Sequence, residues 1–370
     1  MRILHIVGSL NRGGVETWLM QILQHVDRRN IQMDFAVQTT EPGAFDKEAI
    51  TLGARVIPCL NPSNPLNFAF NFWRILRRYG PYDCIHSHVH HYSGYVLFLA
   101  AMLRVPIRIA HSHTDSRAVD STSTFFRKAY IKIMEVLIQF FATKGIAVSE
   151  SAAASLFSEC WTSDARWSIC PLGIDIRPFE REVNPLQVRT ELGISESAFV
   201  VGHVGSFLPK KNHRFLVEVA DQLSKMEPRT VILLVGDGPL RAEIETLIYA
   251  RGLSDRFVLT GVRADVPRLM MGAMNCFLFP SSVEGLGLVV WEAQVAGLPC
   301  FIADAVPQEA NLHQGLVETL SLKSSPEQWA RQILRKRDRI LARPAKSFPC
   351  YLTSAESTRR LSSLYGLEGE

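Results

Sequence analysis

Short, continuously apolar runs recur along this chain with amphipathic segments between them, and that alternation constrains the fold more than any single motif. In the first half the runs are RILHIVG, MDFAVQT, RVIPC, DCIHSH, IRIAHSH and KGIAVS; in the second they are FVVGHVG, TVILLVGDG, RFVLTGV, NCFLFPS and PCFIAD. Strands buried on both faces of a parallel sheet need apolar residues at successive positions, whereas a half-solvated strand alternates. Between the runs, Leu19, Ile22, Leu23 and Val26 keep helical spacing, as do Phe215, Val219 and Leu223. Right-handed βαβ units follow, and the series runs twice. The break falls at PLGIDIRPFERE, where Pro171, Gly173 and Pro178 punctuate. The expected class is α/β, with two Rossmann-like doubly wound domains at 1–175 and 176–349. In the remaining segment, 350–370, Thr353 and Glu356 predict a capping box for a last helix reaching about Tyr365.

A length of 370 residues suits two domains. The opening apolar run is too short for a signal peptide and lacks a small-residue cleavage site, so it reads as a buried strand. No stretch approaches the roughly 18 uninterrupted apolar residues of a membrane span; the nearest, Ala129 to Ala142, is broken by Lys132 and Glu135. The 7 cysteines are scattered and include no C-x-x-C, which predicts reduced thiols in a cytoplasmic protein. Residues 1–177 carry 18 Lys and Arg against 14 Asp and Glu, and the remainder 22 against 22. The N-terminal half therefore holds the whole net charge of +4.

The most informative stretch is PSSVEGLGLVVWEAQVAGLP. A strand ends at Pro280, a loop carries Glu284, Gly285, Leu286 and Gly287, and a helix is predicted from about Leu288 to Ala296, stopped by Gly297 and Pro299. A helix N-terminus exposes unpaired N–H groups and the positive end of its dipole, so an anion belongs there. Gly285 and Gly287 let a phosphate approach the backbone. Glu284 lies beside whatever is attached beyond a diphosphate. Glu292, a turn inside the helix, is placed to accept from two ribose hydroxyls. A second stretch, FVVGHVGSFLPKKNHRFLVEVA, reads as strand, Gly205, short loop, Lys210 and Lys211, then a helix capped by Asn212. Both lysines are placed to reach a diphosphate at the carboxyl edge of the sheet. A buried ammonium there stabilises the charge that grows as a glycosidic bond breaks.

Glu284 and Glu292 form an E-x7-E pattern. With VGDGP at 235–239, TGVRADVP at 260–267 and GGVE at 13–16, the chain resembles family 4 of the retaining glycosyltransferases of GT-B fold, close to bacterial exopolysaccharide and capsule-type members. The resemblance covers nearly the whole chain. It implies two domains facing a cleft, with the final helix crossing back to the N-terminal one. It also implies a nucleotide-sugar donor, UDP before GDP, a glycan or lipid-linked acceptor, and no cofactor. By the same resemblance Glu284 meets the donor sugar's hydroxyls, Glu292 the ribose, and the amides of Gly285, Leu286, Gly287 and Leu288 the phosphates, which Lys211 neutralises. Arg263 would flank the base. His113 matches the family's active-site histidine beside the reacting sugar, with His111 the competing candidate. Gly13 and Gly14 would admit a phosphate from the opposite wall; on their own residues they read equally as a tight turn. One departure is Ser206, where the family usually has Arg after Gly205. A bidentate phosphate clamp is lost there, and Lys210 replaces it only as a point charge.

His86, His88, His90 and His91 tempt a metal reading. Without a cysteine or carboxylate cluster at ligand spacing they are expected as cleft-edge or surface histidines, and no metal site is assigned. No D-x-D occurs, so the transfer is expected to need no metal. The alternatives are a nucleotide-sugar epimerase or hydrolase of the same fold and a non-catalytic nucleotide-sugar-binding module, the latter motivated by Ser206. A dehydrogenase is disfavoured because no G-x-G-x-x-G follows the first strand, and nucleic acid is not expected as a partner. PLNFAFNFWRILRRYG joins aromatics to Arg74, Arg77 and Arg78. With Arg127, Lys128 and Lys132 it has two readings: peripheral docking on an anionic inner membrane face, or a helix packed on its own sheet with a solvated basic end.

Overall fold

The computed structural model describes residues 1–336 and 352–366. The chain divides into two compact units, Met1–Asp175 with Cys350–Glu370, and Ile176–Pro349. Each is built on a wholly parallel sheet.

The first unit holds β1 (Arg2–Val7), β2 (Gln32–Val37), β3 (Val56–Pro58), β4 (Cys84–Ser87), β5 (Ile107–Ser112), β6 (Lys144–Ala147) and β7 (Trp167–Ile169), in the order β3-β2-β1-β4-β5-β6-β7. The second holds β8 (Phe199–Val204), β9 (Thr230–Val235), β10 (Phe257–Leu259), β11 (Cys276–Phe279), β12 (Cys300–Ala303) and β13 (Val317–Leu320), in the order β10-β9-β8-β11-β12-β13. Every apolar run of the sequence is one of these strands. Its continuous apolar character matches burial on both faces: Ile3, Leu4 and Ile6 of β1 are fully buried, as are Val200 and Val201 of β8. The helix Gly14–His25 turns Trp18, Leu19, Ile22 and Leu23 onto the sheet, and the helix His213–Met226 does the same with Val219 and Leu223. β7 and β13 were not among the expected strands. Both are sheet edges, and the residues of β13 are only half-buried or exposed, so neither needs an apolar run.

The strand order reverses between β1 and β4 in one unit and between β8 and β11 in the other. Crossovers leave such a pair toward opposite faces, and the loops diverging from their carboxyl ends open a crevice where ligands bind in open α/β sheets. These two places are where the site residues collect.

The last helix, Ser354–Leu364, packs on the first unit beside the helix Gly14–His25. Trp18 Nε1 donates to Ser357 Oγ at 2.9 Å, Thr353 bridges Ile174, and the Lys144 ammonium donates to the Leu364 carbonyl. Thr353 Oγ1 accepts from the Glu356 N–H at 3.2 Å. The Glu356 carboxylate pairs with Arg359 rather than turning back to the Thr353 N–H, so this half of the expected capping box forms.

Candidate active site

In the second unit, β8 and β11 are hydrogen-bonded neighbours at the centre of the sheet, so the loops that follow them rise side by side. Pro209–Lys211 forms one tight helical turn. Asn212 then heads the next helix through a left-handed backbone (φ 55°), with no side-chain cap, so the expected Asn212 cap is not made. The two loops are tied together by the Ser282 N–H donating to the Lys210 carbonyl at 2.8 Å. The backbone of Lys210 thus holds the loop while its neighbour reaches inward. Lys211 Nζ meets Glu284 Oε1 at 2.5 Å, with both side chains largely buried. The ammonium also lies 4.6 Å from the centre of the Phe279 ring. Gly205 borders the Lys211 chain, and a Cβ there would crowd His203 Nε2 at 3.1 Å. Burial draws the Lys211 pKa down, and Glu284 opposes that shift.

The loop from Glu284 leads into the helix Leu288–Val295. Gly287 stands at its N-cap with φ +81°, a left-handed conformation that favours glycine. Glu284, Gly285, Leu286 and Gly287 are buried, so the amide-bearing end of the helix is sheltered from bulk water. The helix is anchored from behind, where Trp291 Nε1 donates to the Glu309 carbonyl and Gln294 bonds the Ala310 carbonyl and the Leu312 N–H. Glu292 lies one turn in. Burial raises its carboxyl pKa to about 7. Arg263 is a partner of Asp265 through two bonds of 2.8 Å, which fixes the fork of that loop. Ser206 is half-buried, and its carbonyl accepts from the Leu208 N–H. A sheltered ammonium and a helix N-terminus, with Glu284 just before that helix and Glu292 within it, offer donors to an anion and acceptors to hydroxyl groups.

The first unit gathers histidines at its own switch point. The register sets His5 beside His86, and by continuation His88 beside His111. His86 and His91 are buried, and His88 and His90 are half-buried. Of the expected cleft-edge or surface positions, the surface one is excluded for this buried pair. His113 Nε2 lies 2.8 Å from His88 Nδ1, and His88 Nε2 lies 3.0 Å from His5 Nδ1. His111 Nδ1 meets His86 Nε2 at 3.1 Å, and His86 Nδ1 meets the Tyr365 hydroxyl at 2.7 Å. Burial lowers all five pKa values, with the other rings adding to it in all but His5, which falls to about 3. Gly13 is the N-cap of the helix Gly14–His25, and Glu16 lies against it.

Residues 12–177 match the family described as Glycosyltransferase Family 4, and residues 187–335 match Glycosyl transferases group 1. EpsF of Bacillus subtilis (strain 168), a protein named as a glycosyltransferase, is 32% identical over 353 residues, covering 94% of this chain and 90% of its own. The chain belongs to the family 4 glycosyltransferases. The capsular polysaccharide biosynthesis glycosyltransferase CapH of Staphylococcus aureus is 25% identical and covers 96% of this glycosyltransferase and 97% of itself. Among solved structures, Anabaena HepE in complex with UDP and glucose superposes with a TM-score of 0.77 at 22% identity, covering 100% of this chain and 97% of that one. The fold is GT-B.

Within the second unit of this glycosyltransferase, the structure brings Lys211, Glu284, Gly205 and the Gly285–Leu288 turn together. Sequence reasoning placed Lys211 and Glu284 on separate tasks and missed their direct contact. In the first unit it singled out His113 and His111 but missed the network behind them. A signal was present: His-Ser-His closes both β4 and β5, the second histidine one residue past each strand, and a spacing of two in extended backbone puts the rings on one face.

Proposed function

We propose that this glycosyltransferase is a retaining enzyme of cell-surface polysaccharide synthesis. It moves a sugar from a UDP-sugar to a glycan or lipid-linked acceptor, with no metal at the diphosphate. The observation that carries this reading is the buried Lys211–Glu284 pair set beside the N-terminus of the helix Leu288–Val295. The capsule role of CapH and the UDP and glucose held by HepE support it.

Glu284 favours the charged form of the Lys211 ammonium against its burial. A bound diphosphate competes for that ammonium and takes the helix amides, leaving Glu284 to accept from sugar hydroxyls. The acceptor hydroxyl attacks the anomeric carbon on the face the diphosphate leaves. The new C–O bond forms as the sugar–phosphate bond breaks, and the hydroxyl proton passes to a phosphate oxygen. His113 is assigned to the reacting sugar on the resemblance alone. Lys210 is assigned to the phosphates from its place at the carboxyl edge of the sheet, and Arg263 to the base on the resemblance.

EDTA-treated protein, assayed with a panel of nucleotide-sugars preselected by thermal shift, should transfer sugar from a UDP-sugar with the anomeric configuration kept. Dependence on added Mg2+ or Mn2+ would overturn the metal-free step. Consumption of donor without an acceptor would instead identify a hydrolase or epimerase.

The lipid-linked acceptor draws on a second feature. The helix Pro65–Tyr79 buries Phe68, Phe72 and Ile75, as a helix packed on its sheet must, yet it exposes Leu66, Phe70 and Trp73. On the helix Phe125–Phe141, Phe125 and Phe126 are 79% and 85% exposed, next to Arg127 and Lys128. Both helices border Ser93–Met102, through Tyr95 OH to the Pro65 carbonyl on one side and Phe98 against Phe141 on the other. Exposed aromatics beside cations suit the interface of an anionic bilayer. No described helix is long and apolar enough to cross one. The protein should float with phosphatidylglycerol vesicles at low salt and release as salt rises, and the double variant Phe125→Ser, Phe126→Ser should stay at the bottom of the gradient. Equal recovery with neutral vesicles would remove the electrostatic part.

A further inference from the structure

The hydrogen bonds of the histidine cluster do not close on themselves. A neutral imidazole has one N–H and one lone pair. The row His5–His88–His113 and the row Tyr365–His86–His111 therefore end on nitrogens with nothing to bond. His5 Nε2, His111 Nε2 and His113 Nδ1 are buried without a partner. Unpartnered buried nitrogens are costly, and those of His111 and His113 mark a place for a ligand. Among the described residues the groups spaced to hold a metal here are made of histidines alone, so that ligand is one a nitrogen donor set accepts.

Ring nitrogens of His88, His111 and His113 lie within 4.8 Å of one another, as do those of His5, His86 and His88. The two sets are not equivalent. Both nitrogens of His86 are already engaged, by Tyr365 and His111, whereas His111 and His113 each keep one free. We infer that His88, His111 and His113 form a binding site for one zinc ion, with the fourth position left to water. Three imidazoles and an open position are a known zinc set. The remaining histidines supply the supports that ligating imidazoles need on their other nitrogen: His5 bonds His88 Nε2, and His86 bonds His111 Nδ1 and is itself held by Tyr365. Loading replaces the single His88–His113 hydrogen bond. His88 and His113 are half-buried and give the ion its way in. An ion held by His113 withdraws that ring from substrate, so zinc slows transfer. This consequence rests on the proposed role of His113, whereas binding does not.

Tag-free, chelator-stripped protein titrated with ZnCl2 in a calorimeter should take up one ion per chain with micromolar or tighter affinity. Zinc-edge X-ray absorption should give three nitrogens at about 2.0 Å. His88→Asn and His111→Asn should each weaken binding at least ~10-fold, while His313→Asn on the exposed surface of the other unit leaves it unchanged. Melting of the stripped variants checks their fold, and if they unfold the absorption spectrum of the unaltered protein decides. No stoichiometric uptake, or a shell without three imidazole nitrogens, overturns the site. Full uptake with unchanged transfer keeps the site and removes His113 from the reaction.

Discussion

Replacing Lys211 with Ala should lower kcat by about 10²–10³-fold, the cost of removing one group aimed at charge that develops in the transition state. The leaving diphosphate gains charge as the sugar departs, and Lys211 is the ammonium paired at 2.5 Å with the acid of the same site. The helix amides remain in the variant, so donor KM should change much less than kcat. One side effect has to be separated. Glu284 is left buried without its partner, and an uncompensated buried charge destabilises a fold. The double variant Lys211→Ala, Glu284→Ala removes that penalty and should melt higher than the single variant while remaining as slow. Normal turnover by Lys211→Ala would remove the lysine from the reaction. Recovery of turnover in the double variant would show the loss to be one of folding.

The second large effect is expected at Glu292, and it has opposite signs for binding and stability. Its carboxyl pKa is raised to about 7 by burial. The folded protein therefore keeps a proton that the unfolded chain has released, and the cost of ionising Glu292 in the fold is absent below the unfolded value and fully present above about pH 7. Glu292→Gln should thus melt a few degrees higher than the unaltered protein at pH 8 and show no such gain near pH 4. The ionised carboxylate offers both oxygens to the ribose hydroxyls and is a stronger acceptor than the protonated acid. Affinity for a UDP-sugar, whose phosphates do not titrate near neutrality, should rise with pH through about 7 in the unaltered protein. In Glu292→Gln it should be flat and about tenfold weaker, as for a lost hydrogen bond to a charged group. Calorimetry across that range checks both. A pH-independent affinity in the unaltered protein would mean that Glu292 does not hold the ribose.

Much of this was legible in the sequence because parallel strands buried on both faces leave continuous apolar runs. β7 and β13 were not, since an edge strand has no such requirement. Gly285, Gly287, Gly297 and Pro299 marked the helix Leu288–Val295 through turn and stop chemistry that is local in sequence. The Lys211–Glu284 contact joins residues 73 apart and depends on β8 lying next to β11, which no local pattern reveals. The same holds for His5 and His88, adjacent only because the chain order reverses between β1 and β4. The Asn212 cap failed because a left-handed residue enters the helix through its backbone and leaves its side chain unused.

The most direct measurement is a crystal structure with a bound UDP-sugar. The diphosphate should lie within hydrogen-bonding distance of Lys211 Nζ and the first-turn amides of Leu288–Val295, with the ribose on Glu292. A nucleotide bound away from that turn, or a diphosphate out of reach of Lys211, would contradict the assignment.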